Sequence, residues 1–229
     1  MWVDLFLCLF LAHLVADFAL QTNKICKDKS EKKWRSPYHY AHALIVFVVS
    51  WLVTFDIRFW WCAAVIGVTH FCIDMWKTHR EEKVEWFVVD QLLHVAVLVC
   101  VAVLWCRAYD WSIPFGIAPR TVAIVVAVVA CWRPANIFIK LMLRHYSVNM
   151  PEETTLSGFN AGALIGNLER WLILAFVLMQ HYEALGLLIA AKSIIRFGDK
   201  ETTKTEYVLA GTLLSIFIAV IAGLIVSKF

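Results

Sequence analysis

Long, mostly apolar segments recur along this chain at about residues 2–22, 38–55, 59–76, 86–106, 120–143, 158–181, 183–197 and 206–227. A helix that crosses a bilayer needs about 20 such residues, and backbone polar groups in hydrocarbon must be bonded within the segment. Eight segments of this kind leave one fold class, an all-α polytopic transmembrane bundle of about eight helices, some of them short or interfacial. Composition agrees: 61% of the 229 residues are hydrophobic and 17% are charged, with a mean hydropathy of +0.70. A soluble domain carries about 25% charged residues. One core could not hide that surplus, so lipid is the expected partner.

The breaks in the pattern are informative too. Pro134 is expected to kink or end the fifth segment, and RPANIFIKLMLRHY after it reads as an amphipathic interfacial helix. Lysine-rich residues 23–37, with 77–85, 140–146 and 196–204, alternate with weakly charged connections. The positive-inside rule then sets the N-terminus outside and the basic linkers in the cytoplasm. Segment 23–37 is read as a topology determinant, with attraction to anionic headgroups as the alternative. The opening MWVD has no basic n-region and no cleavage pattern follows, so the first segment is expected to be a retained helix. Seven scattered cysteines without CxxC spacing predict reduced thiols. A net charge of +3 gives no reason to invoke nucleic acid.

Within this frame three His/Asp pairs stand at i,i+4 spacing: His13/Asp17, His70/Asp74 and Asp90/His94. That spacing sets both side chains on one helical face, a turn apart. His42 opens the second helix from the same side, while His39 is expected at the interface. Ionisable groups inside membrane segments face a bundle interior or a watered cavity. Imidazole with carboxylate suits zinc first, and manganese or iron as alternatives. Seven candidate ligands (His13, Asp17, His42, His70, Asp74, Asp90 and His94) exceed the need of one tetrahedral ion, leaving room for one or two ions or for supporting carboxylates. Asp17, Asp74 and Asp90 are the candidate general bases. Gln21 and Lys77 are candidates to hold substrate at the cytoplasmic mouth. A proton or ion pathway, or a purely structural polar network, would use the same residue types.

The chain is expected to divide into a His/Asp-rich four-helix module, 1–106, and a C-terminal module, 107–229, packed on it as one unit. The first two hairpins carry a faint parallel repeat, HxxxD followed by a helix opening with His or Asp/His. In the second module Arg170, Lys192 and Arg196 are candidates for an anion clamp. The competing expectation pairs Glu169 and Glu206 with Lys192 and Arg196. Gly158, Gly162 and Gly166 form a stripe expected to admit close helix packing. No phosphate-cradling glycine loop and no GxSxG elbow occurs, against ATP hydrolysis and serine-hydrolase chemistry.

Three motifs in order, HLVADFALQ (His13 to Gln21), THFCIDMWK (Thr69 to Lys77) and DQLLH (Asp90 to His94), resemble an uncharacterised bacterial integral-membrane family of unknown function, the 3307 family. The later segments GALIGNLERWL, AAKSIIRF and EYVLAGTLLS resemble the C-terminal extension of its members. More distantly the His/Asp pattern is similar to LexA-regulated membrane-bound metal-dependent hydrolases, which implies hydrolysis. The leading expectation is therefore a metal-dependent hydrolase at the cytoplasmic leaflet, acting on a lipid or a phosphorylated small molecule. A proton or metal-ion transporter and a non-catalytic effector or scaffold are the alternatives. The near-absence of polar groups in the outer halves of the first four helices ranks the enzyme above the conduit. An oligomer is compatible with all three.

Overall fold

The computed structural model describes residues 2–146, 161–196 and 202–229, and they are helical almost throughout. The side chains of Asn23, Ala161, Ile195, Arg196 and 202–208 are also outside the described set. Ten α-helices are described: α1 (Trp2–Leu14), α2 (Asn23–Lys32), α3 (Pro37–Leu52), α4 (Trp60–Lys77), α5 (Val84–Ala108), α6 (Pro119–Ala130), α7 (Arg133–His145), α8 (Ala161–Leu178), α9 (Tyr182–Arg196) and α10 (Thr202–Val226). No strand occurs among the described residues. Four stretches are long and apolar enough to cross a membrane: Trp2–Ala19, Ile57–Lys77, Val84–Ala108 and Leu209–Val226. The chain forms two compact units, Met1–Val129 and Ala130–Phe229.

Two departures from the apolar pattern have local causes. Segment 23–37 is not an open linker, because it contains α2. The Thr22 side chain caps it by accepting from the Ile25 N–H (3.4 Å), which satisfies one of the donors left bare at a helix start. A polar helix of this length is marginal alone, and burial of Lys29 ties this one to its unit. The expected fifth helix is two. Helix α6 stops at Ala130, and Pro134 falls in the first turn of α7, where its missing N–H costs nothing.

In the first unit α1 packs on α3 and α5, and α4 packs on α3 and α5. Leu5, Leu9, Val46, Ala63 and Ala102 fill the interior. Phe59 and Trp105 meet edge to face at 5.0 Å, and the Trp111 indole donates to the Thr54 carbonyl (3.0 Å), closing the end opposite the His/Asp pairs. Helices α3 and α4 approach closely at Gly67, where a Cβ would stand 3.1 Å from Phe47 Cβ and 3.2 Å from the Ala43 carbonyl oxygen. Leu44, Val68, Leu92 and Leu104 point outward and are exposed.

In the second unit α8 and α10 form the main pair, joined by α7 and α9. Cys131, Ile173, Val177 and Ala219 make its core. The glycine stripe does not serve as expected. Gly158 lies outside the described residues, Gly162 is exposed, and Gly166 makes room for the guanidinium of Arg170 on its own helix, 3.3 Å from where a Cβ would be. The tight approach between helices occurs at Gly223, where a Cβ would stand 2.6 Å from Val177 Cγ1.

Candidate metal centre

Helix α1 widens into a π-helical turn, Val15–Ala19, with the Leu20 N–H reaching back to the Val15 carbonyl (3.0 Å). Such turns interrupt α-helices mostly at functional positions, and this one carries Asp17. Antiparallel packing then sets the end of α1, the start of α3, the end of α4 and the start of α5 at one end of the unit. The four imidazoles form a continuous row: ring centroids are 4.9 Å apart for His42–His70, 4.1 Å for His70–His94 and 4.9 Å for His94–His13. All four are buried, as are Asp74 and Asp90, and Asp17 is 11% exposed at its side chain. The local i,i+4 pairs thus become one cluster, and the six residues singled out by spacing are joined in it by His42.

At its centre, His42 Nε2 and His70 Nε2 stand 3.0 Å apart, and each is 3.2 Å from Asp17 Oδ1. Tetrahedral ligands about 2.0–2.1 Å from a zinc ion stand about 3.3–3.4 Å from one another. The three observed separations fall just inside that value. Asp74 offers Oδ1 at 3.7 Å from His70 Nε2 and Oδ2 at 3.8 Å from His42 Nε2. Three overlapping sets of side chains are spaced to hold a cation: His13, Asp17 and His70; His42, His70 and Asp74; and Asp74, Asp90 and His94.

Tautomers sharpen the picture. His94 Nδ1 lies 2.8 Å from the Asp90 carbonyl oxygen and must donate to it. Its Nε2 is left with a lone pair, buried and without a hydrogen-bond partner, as is Asp90 Oδ1. A backbone carbonyl on one imidazole nitrogen is the usual way to present the other to a metal. His13 is set likewise. Gln91 donates its amide to Asp90 Oδ2 (3.0 Å), so its Oε1 faces His13 Nε2 (3.3 Å) as an acceptor. His13 Nδ1 is then the bare nitrogen, 3.8 Å from Asp17 Oδ1. Unsatisfied acceptors in a buried site are costly. A divalent cation held by Asp74, Asp90 and His94 would satisfy both Asp90 and His94, and the donor set fits one.

Two lysines complete the cluster. Lys77 Nζ lies 2.5 Å from Asp90 Oδ2 and is 39% exposed. Lys29, from α2, is buried with Nζ 2.5 Å from Asp74 Oδ2. Neither Lys29 nor Gln91 stands out in sequence: their partners are 45 and 78 residues away. His39, in the first turn of α3, is buried, with its ring edge-on to Phe71 at 6.2 Å. Gln21 Oε1 accepts from Cys26 Sγ (3.4 Å).

Two of the three basic candidates of the second unit, Arg170 and Lys192, are engaged there. Arg170 is buried and donates to the Cys131 carbonyl (2.6 Å), Ser215 Oγ (2.9 Å), Asn136 Oδ1 (2.5 Å) and Asn167 Oδ1 (2.7 Å). Lys192 pairs with Glu169. The side chains of Arg196 and Glu206 lie outside the described residues. An anion at Arg170 would have to displace those bonds, and the charge of Lys192 is already matched by Glu169.

Residues 5–118 match the model of a family described as a protein of unknown function, DUF3307. Over these residues the chain belongs to that family. The match takes in all of α1 to α5 except the first residues of α1, and so every member of the His/Asp/Lys cluster. No curated protein and no solved structure matches the chain.

Proposed function

We propose that the DUF3307 unit is a membrane-embedded, metal-dependent hydrolase that works at the cytoplasmic leaflet of the bacterial inner membrane on a lipid or phosphoester. The observation that carries this reading is the triangle of Asp17 Oδ1, His42 Nε2 and His70 Nε2, with sides of 3.0–3.2 Å. These three residues would hold a divalent ion, zinc first by donor type, and Asp74 would close the set. When bound, such an ion supplies Lewis acidity and lowers the pKa of a coordinated water toward about 7. Asp90 is the carboxylate suited to take the proton. Lys77 and Gln91 hold its Oδ2, and its Oδ1 has no partner. His94, bonded through Nδ1 to the Asp90 backbone, is tied to the same turn.

The opposite end of the cluster favours an enzyme over a conduit. Beyond His13, His70 and His94 lies a cavity of about 10 Å³, walled by Val46, Ile66, Val97, Leu98 and Thr69, whose hydroxyl is turned to the Val65 and Ile66 carbonyls of its own helix. That is about the space of one water, and an ion path would need polar groups to continue past it.

The test is metal content by elemental mass spectrometry on the detergent-purified chain, with hydrolysis of ester and phosphoester probes in mixed micelles. Stoichiometric zinc is expected in the wild type. In His70→Ala, occupancy is expected to drop at least about tenfold, with hydrolysis falling in step, because one ligand of a three-to-four-ligand site is gone. A wild type that stays metal-free after incubation with zinc, manganese and iron would overturn the reading.

A further inference from the structure

The charged groups bonded into the cluster are unequal in number. Asp17, Asp74 and Asp90 bring three negative charges, and Lys29 and Lys77 bring two positive ones. With neutral imidazoles, the form in which they ligate metals, the cluster carries one surplus negative charge. A divalent ion at Asp17, His42 and His70 turns that into one surplus positive charge. Net charge in a buried, low-dielectric site is expensive, so the loaded cluster has room for one monoanion.

The lysines mark where that anion would be received. An ammonium has three N–H donors, and each of these lysines gives one to a carboxylate at 2.5 Å. Lys29 reaches the cluster from α2 through Asp74, and Lys77 reaches it from the end of α4 through Asp90. Lys77 is 39% exposed, while Lys29 is brought in from outside the four-helix core by α2. The Asp74 and Asp90 carboxylates hold the two ammonium groups in place without occupying all their donors.

We infer that Lys29 and Lys77 are substrate-recognition residues, and that the substrate is a phosphodiester: a singly charged phosphate whose oxygens take the free ammonium donors while its charge neutralises the loaded site. The inference rests on the proposed metal centre. A neutral carboxylic ester would leave the surplus positive charge unanswered. A phosphomonoester dianion would overshoot it. A phosphodiester is also the linkage in phospholipid headgroups, whether presented by a bilayer or free in solution.

A series of one phosphoryl group at three charges tests it. The full chain is purified in detergent and loaded with zinc, and its zinc content is read on the same sample. It is then titrated calorimetrically with triethyl phosphate (neutral), diethyl phosphate (monoanion) and methyl phosphate (dianion). The diester is expected to bind at least about tenfold tighter than the triester, as hydrogen bonds to charged groups imply. With zinc saturating and its content read for each variant, Lys29→Met and Lys77→Met should each reduce that preference by about tenfold, while Lys29→Arg keeps it within about threefold. Lys77 is more exposed, so its variant decides the matter if Lys29→Met fails to fold. Triester binding equal to diester, tighter binding of methyl phosphate, or lysine variants of wild-type affinity would each overturn the inference. A wild type without zinc overturns the metal reading instead; a lysine-dependent preference for diester would then stand by itself, and its absence would end both. Competition by vesicles of phosphatidylglycerol, absent with vesicles of a neutral glycolipid, would assign the diester to a bilayer headgroup. Competition by free diester alone would assign it to a soluble substrate.

Discussion

At the scale of the residue, this unit joins its polar groups through bonds both within a helix and between elements. Asp28, on α2, has one of each, with a measurable consequence. Lys32 bonds its carboxylate, and Ser36 Oγ donates to it at 2.7 Å, linking the end of α2 to the buried residue that precedes α3. The Lys32 bond first, and the Ser36 bond second, hold its carboxyl below the usual carboxylate range. A depressed folded value stabilises the structure above the unfolded value, near 3.9, and that contribution is lost as pH falls through the folded one. Asp28→Asn should therefore speed amide exchange in residues 30–36 at pH 7, corrected for intrinsic rates. The difference from wild type should shrink once the pH is well below about 4. A difference that persists undiminished in acid would mean that shape, not charge, holds this corner.

The His/Asp ligands were legible from residue order because i,i+4 spacing is a local property of a helix. Lys29 and Gln91 were not, since their roles come from tertiary contacts across 45 and 78 residues. For the same reason Arg170 read as a free cation: its four acceptors come from Cys131, Asn136, Asn167 and Ser215, on three different stretches of chain.

At the scale of the element, helix spacing depends on single glycines. Gly67 lies one turn before His70 on α4, and a Cβ there would press on the Phe47 Cβ and on backbone, neither of which can swing aside. Gly67→Val should part α3 from α4 and pull His42 away from His70. Expected are a loss of about 1–3 kcal/mol of stability and at least about a tenfold loss of zinc affinity, by analogy with loss of ligand geometry. Gly223→Ala meets Val177 Cγ1 at 2.6 Å and should destabilise the α8–α10 pair by a similar amount. Because Gly223 belongs to the other unit, its zinc affinity should stay at the wild-type value. Thermal unfolding with zinc titration on both variants separates the two; equal zinc loss in each would mean that the centre responds to general loosening. Helix boundaries were legible where the apolar pattern is long. They were not for α2, whose ten residues (NKICKDKSEK) have almost no apolar stripe, nor for the π-helical turn at Val15–Ala19, which no residue pattern announces.

At the scale of the molecule, orientation follows from charge and can be read chemically. In the first unit the end that carries the cluster also carries Lys24, Lys27, Lys32, Lys33, Arg35, Lys77, Arg80 and Lys83, whereas the opposite connections and the helix ends beside them offer Arg58, Arg107 and Arg120. Arg80 lies between the Trp76 and Trp86 rings, 5.1 and 4.6 Å from their centroids. Tryptophan and basic side chains in this arrangement suit the headgroup layer. By the positive-inside rule the expected side for the basic end is the cytoplasm, with the connection before α6 on the other. Cys26 is exposed at the basic end, and Ser112 lies in the connection between α5 and α6. A membrane-impermeant maleimide applied to spheroplasts should label Ser112→Cys in a background whose other cysteines are replaced by alanine or serine. Retaining only Cys26 in the same background should give label only after the membrane is opened. The reverse pattern would put the cluster on the outer face and exclude a cytoplasmic substrate. Labelling of both without permeabilisation would remove the bilayer from between them, and with it the reason for the outward-facing Leu44, Val68, Leu92 and Leu104.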